Sequence, residues 1–189
     1  MSTITPTMTV EELVRFPDDG YRREIRKGEL TTMPPPGLVH GLIIARIAGK
    51  LFSYVEECNL GLVVSGDTGF LLAENTDTLL APDVAYISKA RESRLIMRRG
   101  YFLGAPDLVV EVISPSDRIQ NVHDKVDEFI QFGALEGWVV NPRTRTITIH
   151  TATQEPIILT DSMELADRKL LPKFACSVAD LLGKTTFES

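Results

Sequence analysis

Apolar and polar positions along the chain fall into strand-length and helix-length stretches separated by glycine, proline and short acidic runs. Thr9-Val10-Glu11-Glu12 has the spacing of a capping box and predicts a short helix from a Thr9 cap to about Phe16, ended by Pro17-Asp18-Asp19-Gly20. Residues 22–26 and 29–33 flank Lys27-Gly28 as an N-terminal β-hairpin, and Pro34-Pro35-Pro36-Gly37 then breaks the sheet. From 38 to about 57, Ile44, Ile47, Ala48, Leu51 and Val55 recur at helical spacing, while Arg46, Lys50 and Glu57 fall mostly elsewhere. His40 lies one turn before Ile44 on the same stripe, so its ring is expected to point inward, as a bonded core histidine or as part of a site.

Residues 61–65 and 68–73 are expected to pair as a hairpin around Gly66-Asp67. Residues 81–87 and 106–113 both have the pattern of strands in a buried sheet, and a helix over 117–132 leads through Gly133 to another strand at 137–141. That strand, helix, strand order predicts a crossover whose two strands are parallel neighbours. Residues 145–151 and 155–159 follow the Pro142-Arg143-Thr144 turn as two further strands, and 177–182 closes as a helix capped by Ser177. With no repeat, low-complexity tract or linker, the expectation is one mixed α/β domain over 1–189.

Composition narrows the classes. A hydrophobic fraction of 43% and a charged fraction of 24% over 189 residues suit a globular protein able to build a core without disulfides, and argue against disorder. Cys58 and Cys176 have no metal-type spacing, which points to a reducing, cytoplasmic setting. The amino terminus has neither a basic region nor a long apolar stretch, and no segment is expected to span a membrane. The net charge of −6 does not advertise a nucleic-acid surface. Local basic stretches do occur at Arg22, Arg23, Arg26 and Lys27 and from Lys89 to Arg99, the second expected to be a solvated loop.

The candidate chemistry lies in the two buried strand patterns. Asp83 and Glu111 each sit within an apolar run, where a carboxylate is costly to desolvate unless a cation or hydrogen-bond donors balance it. Alternation puts Asp107, Val109, Glu111 and Ile113 on one face and Leu108, Val110 and Val112 on the other. If the Asp83 strand pairs beside this one, two carboxylates can share a cation; each can equally cap a loop or bond an arginine. On the helix that follows, Val122, Val126, Phe129 and Ile130 form the sheet-facing stripe, with Asp124, Asp127 and Glu128 outside it. Lys125 stands at its border, placed either to bring an ammonium to the Glu111 end or to snorkel to water. Two carboxylates holding magnesium, with a lysine near the attacking water, are what phosphodiester hydrolysis requires, and Glu24 is a further candidate ligand.

These residues, taken in order, resemble a known family. Glu24-Ile25-Arg26-Lys27-Gly28-Glu29-Leu30, the Pro34–Gly37 run with His40, Ala81-Pro82-Asp83-Val84-Ala85, residues 105–116 around Glu111, and Trp138-Val139-Val140-Asn141-Pro142 are similar to the bacterial Uma-two endonuclease family of the PD-(D/E)XK, or restriction-endonuclease-like, superfamily. The similarity runs from about residue 24 to residue 182. It implies a restriction-endonuclease-like fold, a central mixed β-sheet flanked by helices with extra N-terminal and C-terminal β-hairpins, and Asp83 and Glu111 as metal ligands. In the usual Glu-x-Lys pattern the lysine stands two residues after the glutamate, where this chain has Ile113; the resemblance implies a lysine relocated to the next helix, Lys125. Glu24 and His40 match further polar positions of the family, while Arg23 replaces the aromatic residue that commonly precedes the glutamate.

The resulting expectation is an endonuclease using magnesium, with manganese as a substitute, acting on DNA rather than RNA. Its candidate catalytic residues are Asp83, Glu111, Lys125, Glu24 and His40, and its candidate ligands Asp83, Glu111 and Glu24. A homodimer fits the cutting of two strands. The alternative is a nuclease-like domain that binds nucleic acid or a protein without turnover. Acid-base hydrolysis of glycosides by two carboxylates is a third reading, with no sugar platform to support it.

Overall fold

The computed structural model describes residues 7–17, 19–74, 77–166 and 168–184. The expectations for the first six residues, and for Asp18, Asn75 and Thr76 in their loops, lie outside that set. In chain order the elements are α1 Val10–Leu13, β1 Arg22–Arg26, β2 Glu29–Met33, α2 Leu38–Glu57, β3 Gly61–Ser65, β4 Phe70–Ala73, β5 Thr78–Leu80, β6 Val84–Ser88, α3 Lys89–Glu92 and β7 Met97–Arg98. They continue with β8 Tyr101–Leu103, β9 Leu108–Val112, α4 Ile119–Gln131, β10 Glu136–Asn141, β11 Thr146–His150, β12 Ile157–Thr160, β13 Glu164–Leu165, β14 Cys176–Ser177 and α5 Val178–Leu182.

The central sheet runs β12-β11-β10-β9-β6-β3. Only β9 and β10 are parallel, joined through α4 as the strand, helix, strand order predicts. A second six-stranded sheet runs β2-β1-β5-β4-β8-β7 and contains the N-terminal hairpin, while β11 and β12 form the C-terminal one. The pairing expected for 61–65 with 68–73 does not occur. β3 joins β6 in the central sheet and β4 joins β5 and β8 in the other, so Gly66-Asp67 carries the chain between sheets. A glycine-containing turn serves a hairpin and a crossing equally well; the partners are chosen by long-range burial.

Alternation on β9 sorts the core. Leu108, Val110 and Val112 join Ile43, Ile47, Leu51 and Val55 of α2 on one face. Val109 and Ile113 join Val122, Val126 and Phe129 of α4 on the other. Glu111 therefore faces α4. That helix sits close to the sheet because β10 presents Gly137, where an added Cβ would lie 2.3 Å from Val126 Cγ1.

Several boundaries and faces differ from expectation. α1 ends at Leu13, although its Thr9–Glu12 capping box forms. The buried stripe of α2 is centred on Ile43, with Ile44 and Ala48 only partly covered. By length and mean hydropathy of 1.4 this helix is apolar enough to cross a membrane, contrary to the expectation that no segment is; here His40, Ile43, Ile47, Leu51 and Val55 are buried within the fold. Glu128, expected outside the α4 stripe, is buried and paired with Arg26 Nε at 2.6 Å.

Candidate active site

Four elements bring their charges to one cleft. On β1, period-two alternation puts Arg22, Glu24 and Arg26 on the cleft side while Ile25 enters the core. Asp83 is not inside a strand as expected but one residue ahead of β6, with Pro82 before it. Because β6 pairs with β9, Asp83 lies beside the Glu111–Val112 end of that strand, and its Oδ2 accepts the Val112 backbone N–H at 2.7 Å. The cleft is about 770 Å³, walled by the Pro34–Gly37 loop on one side and the Ser114–Arg118 loop on the other.

Lys125 does reach the carboxylates. Its Nζ lies 2.8 Å from Glu24 Oε1 and 2.8 Å from Glu111 Oε1, and donates to the Ala81 carbonyl at 2.9 Å. The contact with Glu24 is an aligned hydrogen bond; the contact with Glu111 is a close ion pair without that alignment, which leaves Glu111 Oε1 buried with no hydrogen-bond partner. Glu24 Oε1 is by contrast saturated, accepting also from Arg22 Nη2 at 3.0 Å and the Ala81 N–H at 3.1 Å.

The unequal partners set unequal proton affinities. Burial alone would raise the Glu24 carboxyl, but the charges and hydrogen bonds of Lys125 and Arg22 outweigh it and hold the group below the usual carboxylate range. Burial likewise opposes ionisation of Asp83, and here His40, Lys125 and the Val112 N–H prevail, again lowering it. Glu111 carries the excess. Burial pushes its carboxyl up to about 8, Lys125 only partly offsets that, and the neighbouring Asp83 and Glu24 charges add to the rise. Burial disfavours the Lys125 ammonium, but Glu111 and Glu24 more than compensate and raise it.

His40, on the first turn of α2, is buried as its stripe position indicates. Its Nε2 donates to the Val112 carbonyl at 2.8 Å and stands 3.3 Å from Asp83 Oδ2. Burial would lower its pKa, yet the Asp83 carboxylate raises it overall. The histidine thus clamps Asp83 against the end of β9, and it also borders a smaller adjoining cavity of about 270 Å³.

One other acid on the candidate strands stays out. Asp107, like Asp83, precedes its strand; it accepts from Ser88 N–H at 2.8 Å and pairs with Arg91 at 3.1 Å. The Lys89–Arg99 stretch forms α3, packed on β3 and β6 of the central sheet, and β7, at the edge of the second sheet opposite β2, and none of it lines the cleft. Arg23, the departure from the family pattern, points away from the cleft to pair with Asp19 and cover the Phe16 ring at 4.8 Å.

Sequence reasoning missed Arg22. Its Nη1 lies 3.1 Å from Asp83 Oδ1 and 3.1 Å from Asp67 Oδ1, and its Nη2 bonds Glu24 and the Ala81 carbonyl. The available signal was its place two residues before Glu24 on one strand, which puts both on the same face. Among the described residues no group of three or more His, Cys, Asp or Glu side chains has metal-holding geometry, as Arg22 and Lys125 occupy the acids. The donor set nevertheless fits a hard divalent ion. Carboxylate oxygens are the ligands such ions take, and three buried carboxyl groups, Glu24, Asp83 and Glu111, converge here, with Glu111 Oε1 lacking an aligned hydrogen bond although Lys125 Nζ lies 2.8 Å away.

Mixed sheets flanked by helices are the architecture of the restriction-endonuclease-like fold. The model of the Uma2 family, described as "Putative restriction endonuclease", matches residues 10–179, and the chain belongs to that family. A crystal structure titled as a "putative nuclease belonging to DUF820" from Anabaena variabilis shares the fold with a TM-score of 0.80 and 19% identity, over 93% of this chain and 97% of that one. No curated protein matches the chain.

Proposed function

We propose that the chain is a divalent-metal-dependent endonuclease that hydrolyses phosphodiester bonds, using magnesium with manganese as a substitute, and acting on DNA rather than RNA. The observation that carries this reading is the Lys125 ammonium held 2.8 Å from both Glu24 and Glu111 in an open cleft, with Asp83 fixed alongside by Val112 and His40. Asp83 and Glu111 are the ligands, with Glu24 as a third acid that orients Lys125. The chemistry a bound divalent ion supplies there is polarisation of a phosphoryl oxygen and acidification of a coordinated water.

The protein's own groups do the rest. Lys125 keeps a fixed positive charge where negative charge grows on the phosphorus oxygens, which is worth most in a water-poor site. His40, its Nε2 donating to the Val112 carbonyl and standing 3.3 Å from Asp83 Oδ2, favours the ionised form of Asp83. Arg26 and Arg118 line the cleft and supply cations for flanking phosphates, offsetting the overall charge of −6. The restriction-endonuclease description of the family supports DNA as the substrate. A homodimer would place two clefts on two strands.

The test is incubation of purified protein with duplex DNA, single-stranded DNA and RNA in magnesium, manganese or EDTA, beside Asp83→Ala. Metal-dependent loss of DNA that vanishes in the variant is expected. Cleavage equal in the two proteins removes the activity, and binding without cleavage leaves a non-catalytic nuclease-like domain. Sedimentation over a concentration series tests the dimer.

A further inference from the structure

The guanidinium of Arg22 already occupies Asp83, one of the two proposed metal ligands, together with Glu24, the third acid of the cleft. It bridges Asp83 Oδ1 at 3.1 Å and Glu24 Oε1 at 3.0 Å, and it takes the Ala81 carbonyl as well, a set of oxygens that a hard cation would accept. The fit is incomplete: Arg22 Nε is buried with no partner. Its remaining contact, Asp67 Oδ1 at 3.1 Å, is a half-exposed carboxylate on the turn that carries the chain between the sheets. Nη1 therefore touches a buried acid, Asp83, and a rim acid, Asp67, at once.

We propose that Arg22 is the resident cation of the metal seat, that a divalent ion displaces it, and that the freed guanidinium then binds a phosphate of the nucleic acid in the cleft. This rests on the metal-dependent reading above. An entering dication would meet the buried carboxyl groups of Glu24, Asp83 and Glu111, and its binding to Asp83 would compete with Nη1 for Oδ1. Arginine suits both posts, since its planar fork matches a pair of carboxylates and equally a phosphate. Before metal arrives it keeps the acids ionised and in place; afterwards it adds a phosphate contact. The exchange would make metal and nucleic acid binding mutually reinforcing, because vacating the acids makes Arg22 available.

The experiment is calorimetric titration of manganese into wild-type, Arg22→Gln and Arg22→Lys proteins without nucleic acid, then oligonucleotide anisotropy with calcium in place of magnesium. Competition between two cations for one seat predicts manganese affinity about tenfold tighter in Arg22→Gln, with Arg22→Lys near wild type and oligonucleotide affinity reduced in Arg22→Gln. Unchanged or weaker manganese binding in Arg22→Gln, with wild type binding normally, overturns the exchange and leaves the metal site standing. Manganese binding by none of the three proteins overturns the metal-dependent reading itself. Tighter manganese with unchanged oligonucleotide affinity overturns the phosphate role. Should Arg22→Gln fail to fold, the wild-type Arg22 Nε–H resonance decides: magnesium must shift it, and an unmoved signal at saturation contradicts the displacement.

Discussion

Replacing Lys125 by methionine keeps most of the stem and removes the ammonium. That ammonium lies 2.8 Å from Glu24 and from Glu111 in a residue only 8% exposed, so its loss strands buried carboxylates. Breaking a buried ion pair by removing one partner costs about 3–5 kcal/mol. The cost must vary with pH. Below pH 8 Glu111 is mostly protonated, since burial pushes its carboxyl up to about 8, and the loss falls mainly on Glu24, near the lower figure of about 3 kcal/mol. Metal-free wild type loses stability as pH rises from the ordinary carboxylate range to about 8, because the folded state retains a proton that the unfolded chain has released. Above that the wild-type curve flattens, whereas the variant must still hold Glu111 protonated and keeps losing about 1.4 kcal/mol per pH unit. Urea unfolding of both proteins in EDTA at pH 6, 7, 8 and 9 measures the difference. The expected deficit is about 3 kcal/mol at pH 6, widening by about 1 kcal/mol by pH 9. A deficit that does not change with pH refutes the assignment of Lys125 as the counter-ion of Glu111.

Glu111→Gln should abolish most of the pH-dependent loss of stability between the ordinary carboxylate range and pH 8, while weakening manganese binding; urea titrations across pH and calorimetry check the two halves. His40→Gln should destabilise more at pH 5 than at pH 8, because the raised pKa of His40 gives stability that is present below the unfolded value and lost as pH rises through the folded one; equal losses at both pH values contradict this. Gly137→Ala should cost about 1–3 kcal/mol in chemical denaturation, and lower nuclease turnover, since its methyl forces Val126 and hence α4 away from β10; unaltered stability shows that the helix has room.

Much of this site is legible in the chain because it obeys the two short periods. Strand alternation turns Glu111 toward the face that α4 covers, and the helical stripe of Val122, Val126 and Phe129 puts Lys125 at its border, so their meeting follows once β9 and β10 are parallel neighbours. His40 likewise follows from its α2 stripe. What is not legible is choice of partner across long separations. The turn at Gly66-Asp67 reads as a hairpin until Phe70 and Leu80 pair in a different sheet from Val64 and Ala85. Thr78–Leu80 and Tyr101–Leu103 are too short to show a period. Arg22 was hidden because an arginine in a basic run ordinarily faces water; only the fold reveals that its neighbours on that face are acids from Asp67 and Asp83.

The central claim is that this cleft seats a divalent cation on Asp83 and Glu111 beside Lys125. Crystals soaked in manganese and measured at its absorption edge test it directly. The account predicts an anomalous peak in the cleft within about 2.5 Å of carboxylate oxygens of Asp83 and Glu111, absent from Asp83→Ala crystals. A cleft without a peak at saturating manganese, or a peak that survives the substitution, would contradict it.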